Sequence, residues 1–148
     1  MKRLILLTLW MAAVLPLAAQ KGHGSERLFD KRFTKHPQAV EVLIKGSELR
    51  PYNLTLFRSL TLSGDAEAIA ELERIVMEER NEALDKEEGM LSGRLYYGFY
   101  CQGRTGKEGF RYLFYRNASL KKEHTRNEVT IVYMEGNATL EELKRMFQ

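Results

Sequence analysis

Residues 94–135, RLYYGFYCQGRTGKEGFRYLFYRNASLKKEHTRNEVTIVYME, decide the fold. Eight of the chain's fifteen aromatic side chains fall between Tyr96 and Tyr115. Side chains of a strand alternate between its two faces. Leu95, Tyr97, Phe99 and Cys101 therefore share one side of a first strand, and Tyr96, Gly98 and Tyr100 the other. In a second run Phe110, Tyr112 and Phe114 oppose Arg111, Leu113 and Tyr115. In a third, Val129, Ile131 and Tyr133 oppose Thr130, Val132 and Met134. Aromatic and β-branched residues pack well on a pleated surface, so the stretch reads as three consecutive strands.

Upstream, Val40, Val42 and Ile44 alternate with Glu41, Leu43 and Lys45, a strand closed by Gly46. Leu54, Leu56, Leu60 and Leu62 form the apolar side of another, with Arg58 intruding on it. Asp65 is a natural N-cap, because its carboxylate can accept from the free amides of a first helical turn. The helix it opens carries Ile69, Leu72, Val76, Ala83 and Leu84 as its core stripe, and Glu67, Glu71, Glu73, Glu78, Glu79 and Glu82 on its other side. Residues 89–93 read as a turn. At the C-terminal end Thr139 and Glu142 have the spacing of a capping box, ahead of Leu140, Leu143, Met146 and Phe147. The order strand, strand, helix, three strands, helix predicts an α+β domain. It has two layers, a mainly antiparallel sheet of about five strands with one long and one short helix packed on it.

The N-terminus has Lys2 and Arg3, an apolar run from Leu4 to Leu17, then Ala18 and Ala19. That order is a secretory signal peptide over residues 1–19, too short to span a hydrocarbon core of roughly 30 Å. Residues 20–36 form an N-terminal segment in which Leu28, Phe29 and Phe33 make the apolar side of a short helix, and residues 37–148 form one domain. A single cysteine excludes an intrachain disulfide, so stability must come from apolar packing; Cys101 reads as a small buried hydrophobe. Charge is distributed unevenly. Residues 65–88 carry ten acidic side chains against three basic ones.

Candidate chemistry is sparse. Residues 103–107, GRTGK, resemble a phosphate loop, but Cys101 stands where its first glycine is needed, Glu108 replaces the magnesium-binding hydroxyl, and a strand follows instead of a helix. Gly109, Phe110, Tyr112 and Tyr115 partly match the stacking strand of RNA-binding sheets. Arg111 occupies a small-residue position and Glu108 a basic one, so no nucleic-acid partner is expected. His23, His36 and His124 are scattered, and no metal, cofactor or catalytic set is expected. Lys121, Lys122, His124 and Arg126 make a basic loop suited to an anionic polymer or to solvent. If Leu95, Tyr97 and Phe99 face the helices, Tyr96, Tyr100, Arg111 and Tyr115 lie on the opposite face as one candidate partner-binding patch. Either that face is open, or the N-terminal segment with Phe29 and Phe33 folds over it.

Residues 51–61 (PYNLTLFRSLT), 94–100 (RLYYGFY), 111–120 (RYLFYRNASL) and 130–147 (TIVYMEGNATLEELKRMF) resemble a family of small exported proteins of unknown function from Bacteroidota. The resemblance implies a periplasmic or envelope setting and assigns no activity. No second apolar run of about 18 residues follows the signal segment, so a periplasmic or secreted chain with no transmembrane segment after signal cleavage is expected. The expectation is a non-enzymatic binding module of the cell envelope, its partner an envelope protein or polymer. The alternative is a hydrolase or transferase acting on an envelope polymer. A flat aromatic or basic surface would favour the first, a deep pocket of converging titratable groups the second.

Overall fold

The computed structural model describes residues 24–104, 109–121 and 127–147. The signal segment, His23, His124 and most of the basic loop lie outside the described residues, as do 105–108. Six strands, β1 (Ala39–Lys45), β2 (Leu54–Ser63), β3 (Asp85–Leu91), β4 (Arg94–Arg104), β5 (Phe110–Asn117) and β6 (Glu128–Gly136), form one antiparallel sheet in the order β1-β2-β6-β5-β4-β3. Three helices accompany it: α1 (Lys31–Thr34), α2 (Ala66–Glu79) and α3 (Leu140–Phe147). The α+β class and the antiparallel sheet are as expected. The additional strand is β3, read from sequence only as part of a helix end and a turn. Its acidic, glycine-bearing DKEEGML has little strand propensity and is held by pairing with β4.

Because β2 is second in the sheet and β3 lies at the far edge, α2 must cross the intervening strands, and it buries Ile69, Leu72, Ile75 and Val76 on the way. Asp65 caps it, accepting from the Ala68 amide at 3.1 Å. The helix ends at Glu79 and a 3₁₀ turn follows, which leaves Leu84 outside the expected stripe and exposed. Over this upper face α2 is joined by α1 and by the 3₁₀ turn Gly24–Phe29, so that Leu28, Phe29, Phe33, Leu60, Leu62, Leu72, Tyr100, Leu113, Tyr115 and Ile131 share one core. The helices divide between the two faces instead of sharing one. On the lower face α3 sets Leu143 against Phe99, Tyr112, Phe114, Val132 and Met134, a second core. The capping box holds α3: Glu142 accepts from the Thr139 amide and Thr139 Oγ1 from the Glu142 amide, both at 3.1 Å.

The acidic run on α2 is a clamp more than a solvated face. Arg27 meets Glu78 at 2.7 Å and Glu79 at 3.4 Å, Arg32 meets Glu71 at 3.5 Å, and Arg94 meets Glu73 at 2.9 Å. Arg74 lies between Glu71 and Glu78, relieving the like charges of that face. Beneath the clamp a buried polar knot ties the N-terminal segment down: Ser25 Oγ lies 3.1 Å from Glu79 Oε1 and 2.8 Å from Gln102 Oε1, and Gln102 Nε2 donates to Glu79 Oε1 at 3.0 Å. No helix among the described residues is long and apolar enough to cross a membrane.

Candidate binding site

Of the four residues read as one candidate patch, Tyr100, Tyr115 and Arg111 share the upper face, the one on which α2 packs, and Tyr96 lies at a bulge. Tyr100 and Tyr115 are fully buried beneath α2 and the N-terminal segment, so the covered version of that face is the one realised. The assignment of Leu95 misled because β4 carries one extra residue at Tyr96. Gly89 pairs with Tyr97 but Met90 pairs with Leu95, and this bulge reverses the alternation. Leu95 thus joins Tyr100 on the upper face, while Tyr97, Phe99 and Cys101 point down. Arg111 stays on the upper face, half-buried, where it donates to the Gln102 carbonyl at 3.1 Å. Tyr96, at the bulge, contacts the Tyr97 ring edge-on at 6.1 Å and has the Lys121 ammonium 5.5 Å above its ring.

The upper tyrosines end in carboxylates. Tyr100 donates to Glu88 at 2.7 Å, Tyr115 to Glu73 at 3.5 Å and Tyr133 to Glu135 at 2.6 Å. Burial pushes all three phenols well above their ordinary range, and the neighbouring carboxylates add to the shift. Gly98 makes the first contact possible. A Cβ there would collide with the Tyr100 ring, which lies across Gly98 to reach Glu88, its cross-strand partner. Arg80 closes the group with two bonds to Glu88 at 2.7 and 2.6 Å, holding that carboxyl below its usual range.

Clefts open on both faces among the described residues, and a further one of about 330 Å³ lies between Pro51, Tyr52 and the Glu142, Arg145 and Met146 side of α3. An upper one of about 140 Å³ is lined by Ser25, Glu26, Phe29, Leu56, Arg58, Tyr133 and Glu135. Its polar groups are largely turned on one another or on the fold: Tyr133 bonds Glu135, Ser25 belongs to the buried knot, and Arg58 bonds Glu41 at 2.8 Å while stacking 4.3 Å over Phe29. His36, the only histidine among the described residues, cannot serve as a base. Its Nδ1 accepts from the Gln38 amide at 3.0 Å, so Nε2 carries the proton and donates to Asp65 at 2.9 Å. No cluster of three or more potential metal ligands occurs among the described residues.

The lower groove is chemically different. About 250 Å³ in volume, it lies between the β3–β4 end of the sheet and α3, lined by Glu87, Tyr97, Phe99, Arg116, Lys144 and Phe147. Its floor is aromatic. Phe147 stacks on Phe114 at 4.4 Å and Phe99 lies 4.6 Å from Phe114, with Tyr97 continuing the row at 6.3 Å from Phe99. Arg116 is exposed on the lower side of β5, fixed by a 2.8 Å bond to the Phe147 carbonyl. Lys144 reaches Glu87 Oε1 at 3.0 Å, and that carboxylate raises the lysine above its ordinary range. Glu87 Oε2 is buried with no hydrogen-bond partner among the described residues. Cations that donate beside a partly exposed ring surface suit a negatively charged ligand with an apolar face.

Sequence reading missed this groove because it set Tyr97 and Phe99 against the helices as ordinary core and placed the candidate patch on the other face. The signal was present: Phe99, Phe114 and Tyr112 are as apolar as the opposite row, and strands apolar on both sides are covered on both.

An antiparallel α+β domain with a shallow aromatic and cationic groove is what fold and site together define. The chain belongs to a family of unknown function, DUF6108, which it matches over residues 12–147. No curated protein and no solved structure matches it.

Proposed function

We propose that the protein is exported to the periplasm or cell surface and acts there as a non-enzymatic binding module. Its lower groove holds a segment of an acidic, hydroxyl-rich envelope polymer. The observation that carries this reading is the pair of cations, Arg116 and Lys144, beside the half-buried Tyr97 and Phe147 rings. Sugar rings stack on aromatic faces, and guanidinium and ammonium groups take up carboxylate or phosphate. Export is supported by the basic, apolar and small-residue order of residues 1–19 and by the resemblance to exported Bacteroidota proteins.

The test is retention on a panel of immobilised acidic and neutral polysaccharides. Wild type should bind the acidic members in a salt-dependent way, and Arg116→Gln with Lys144→Gln should lose at least about tenfold in affinity, about 1.4 kcal/mol, with melting unchanged. Absence of binding to every acidic member, or equal binding by the double variant, overturns the reading. N-terminal sequencing of protein from the periplasmic fraction should give Gln20 as the first residue.

A further inference from the structure

The sheet has two edges, and they are treated differently. At one, β3 offers Asp85, Lys86, Glu87 and Glu88 in succession, and its pairing with β4 is interrupted by the bulge. Charges and bulges are how edge strands are kept from pairing with other chains. At the other edge β1 pairs with β2 over seven residues without a register shift, and among the described residues no strand lies against its outer side. Ala39 and Ile44 are partly buried, but three other apolar residues of β1 are exposed. Val40 is 63%, Val42 41% and Leu43 54% exposed.

We propose that this edge receives β1 of a second copy, antiparallel, about a two-fold axis normal to the sheet through Leu43. The sequence of β1, AVEVLIK, is self-complementary in that register. Leu43 meets its own copy, Val42 faces Ile44, and Glu41 faces Lys45 twice, once on each side of the axis. Shifting the axis to Val42 sets Glu41 against Leu43 and Lys45 against Ala39, which loses both ion pairs. Directly opposed residues share a face, so the Val40, Val42 and Ile44 rows of the two copies merge into one apolar strip on the lower side. The Leu43 pair closes the upper side. The product is a continuous twelve-stranded sheet with an isologous interface, in which strand hydrogen bonds supply affinity and the charge pairs supply register.

Sedimentation of the purified chain measures self-association, at concentrations up to about 0.5 mM, where even a small interface is populated. Wild type should show a monomer–dimer equilibrium. Lys45→Glu sets two glutamates opposite one another at each pair and should be monomeric; Glu41→Lys sets two lysines opposite one another and should be monomeric too. Mixing the two variants restores opposite charges at both pairs, so the mixture should dimerise although neither component does. Glu41 also holds Arg58 at 2.8 Å, so the fold of each variant is checked by its melting transition. Leu43→Lys supplies a third, independent disruption if Glu41→Lys does not fold. A dimer that survives Lys45→Glu and Leu43→Lys, or a mixture that stays monomeric with both components folded, overturns the proposal. A wild-type chain that remains monomeric overturns the second copy as occupant and leaves the edge to a strand of another protein.

Discussion

The upper and lower faces of the sheet are built from the same aromatic strands, yet one is sealed and the other is left half open. Above, a fourteen-residue helix and the N-terminal segment cover Tyr100 and Tyr115 completely, and the phenol tips find acceptors, Tyr100 in Glu88 of β3 and Tyr115 in Glu73 of α2. Below, an eight-residue helix covers Phe114 but leaves Phe147, Tyr97 and Arg116 at the rim of a groove. The difference lies in the length of the cover and the chemistry of the ring. Tyrosines can be buried under a polar lid because their hydroxyls remain paired. Phe99 and Phe114 have no such polar tip and are buried, and only Phe147 at the half-covered edge keeps part of its ring exposed.

The largest expected effect lies on the sealed face. Leu72→Ala should cost about 2–5 kcal/mol in denaturant melts, since Leu72 is fully buried between α2 and the sheet. On the lower face Phe147→Ala should cost about 1–2 kcal/mol, because a ring at the groove's edge buries less area. Equal losses would mean that the lower face is as much a structural core as the upper. Smaller again, Thr139→Ala should cost about 1 kcal/mol by removing the N-cap of α3. It should weaken polymer binding along with stability if α3 positions Lys144, and leave binding intact if the groove does not depend on that helix.

Much of this was legible in the sequence, for identifiable reasons. The strands around Tyr97, Tyr112 and Ile131, the Asp65 cap and the Thr139–Glu142 box rest on local patterns, and local patterns are what residue spacing reports. Two features were not legible. The bulge at Tyr96 arises only when β4 meets β3, and one extra residue there moved Leu95 to the face of Tyr100. Counting alternation along a single chain cannot detect it. The pairing of Arg27 and Arg32 with Glu78 and Glu71 likewise joins residues more than thirty positions apart. From sequence the acidic run was only the side of the helix opposite its core stripe, whereas folding makes it the anchor of the N-terminal segment. The groove fell between these cases, since its aromatic residues were visible but were assigned to ordinary packing.

The smallest effect sharpens what the sealed face owes to its carboxylates. Glu88 accepts two bonds from Arg80 and one from Tyr100, and Arg80 first of all holds its carboxyl below the ordinary 4.5. A carboxyl with a lower pKa in the folded than in the unfolded state stabilises the fold above the unfolded value and loses that contribution as pH falls through the folded one. Glu88→Gln keeps an acceptor in place but removes the titration. Urea midpoints of wild type and variant should therefore differ at neutral pH and converge as the pH is lowered through the folded-state value, below the ordinary carboxylate range. Glu71, Glu78 and Glu142, also held low by their partners, titrate in both proteins and cancel from the difference. A gap between the two proteins that stays constant with pH would show that the Glu88 charge is irrelevant to stability. The sealed face would then rest on apolar packing and neutral hydrogen bonds alone, and the acidic clamp would matter for the N-terminal segment without contributing beneath it.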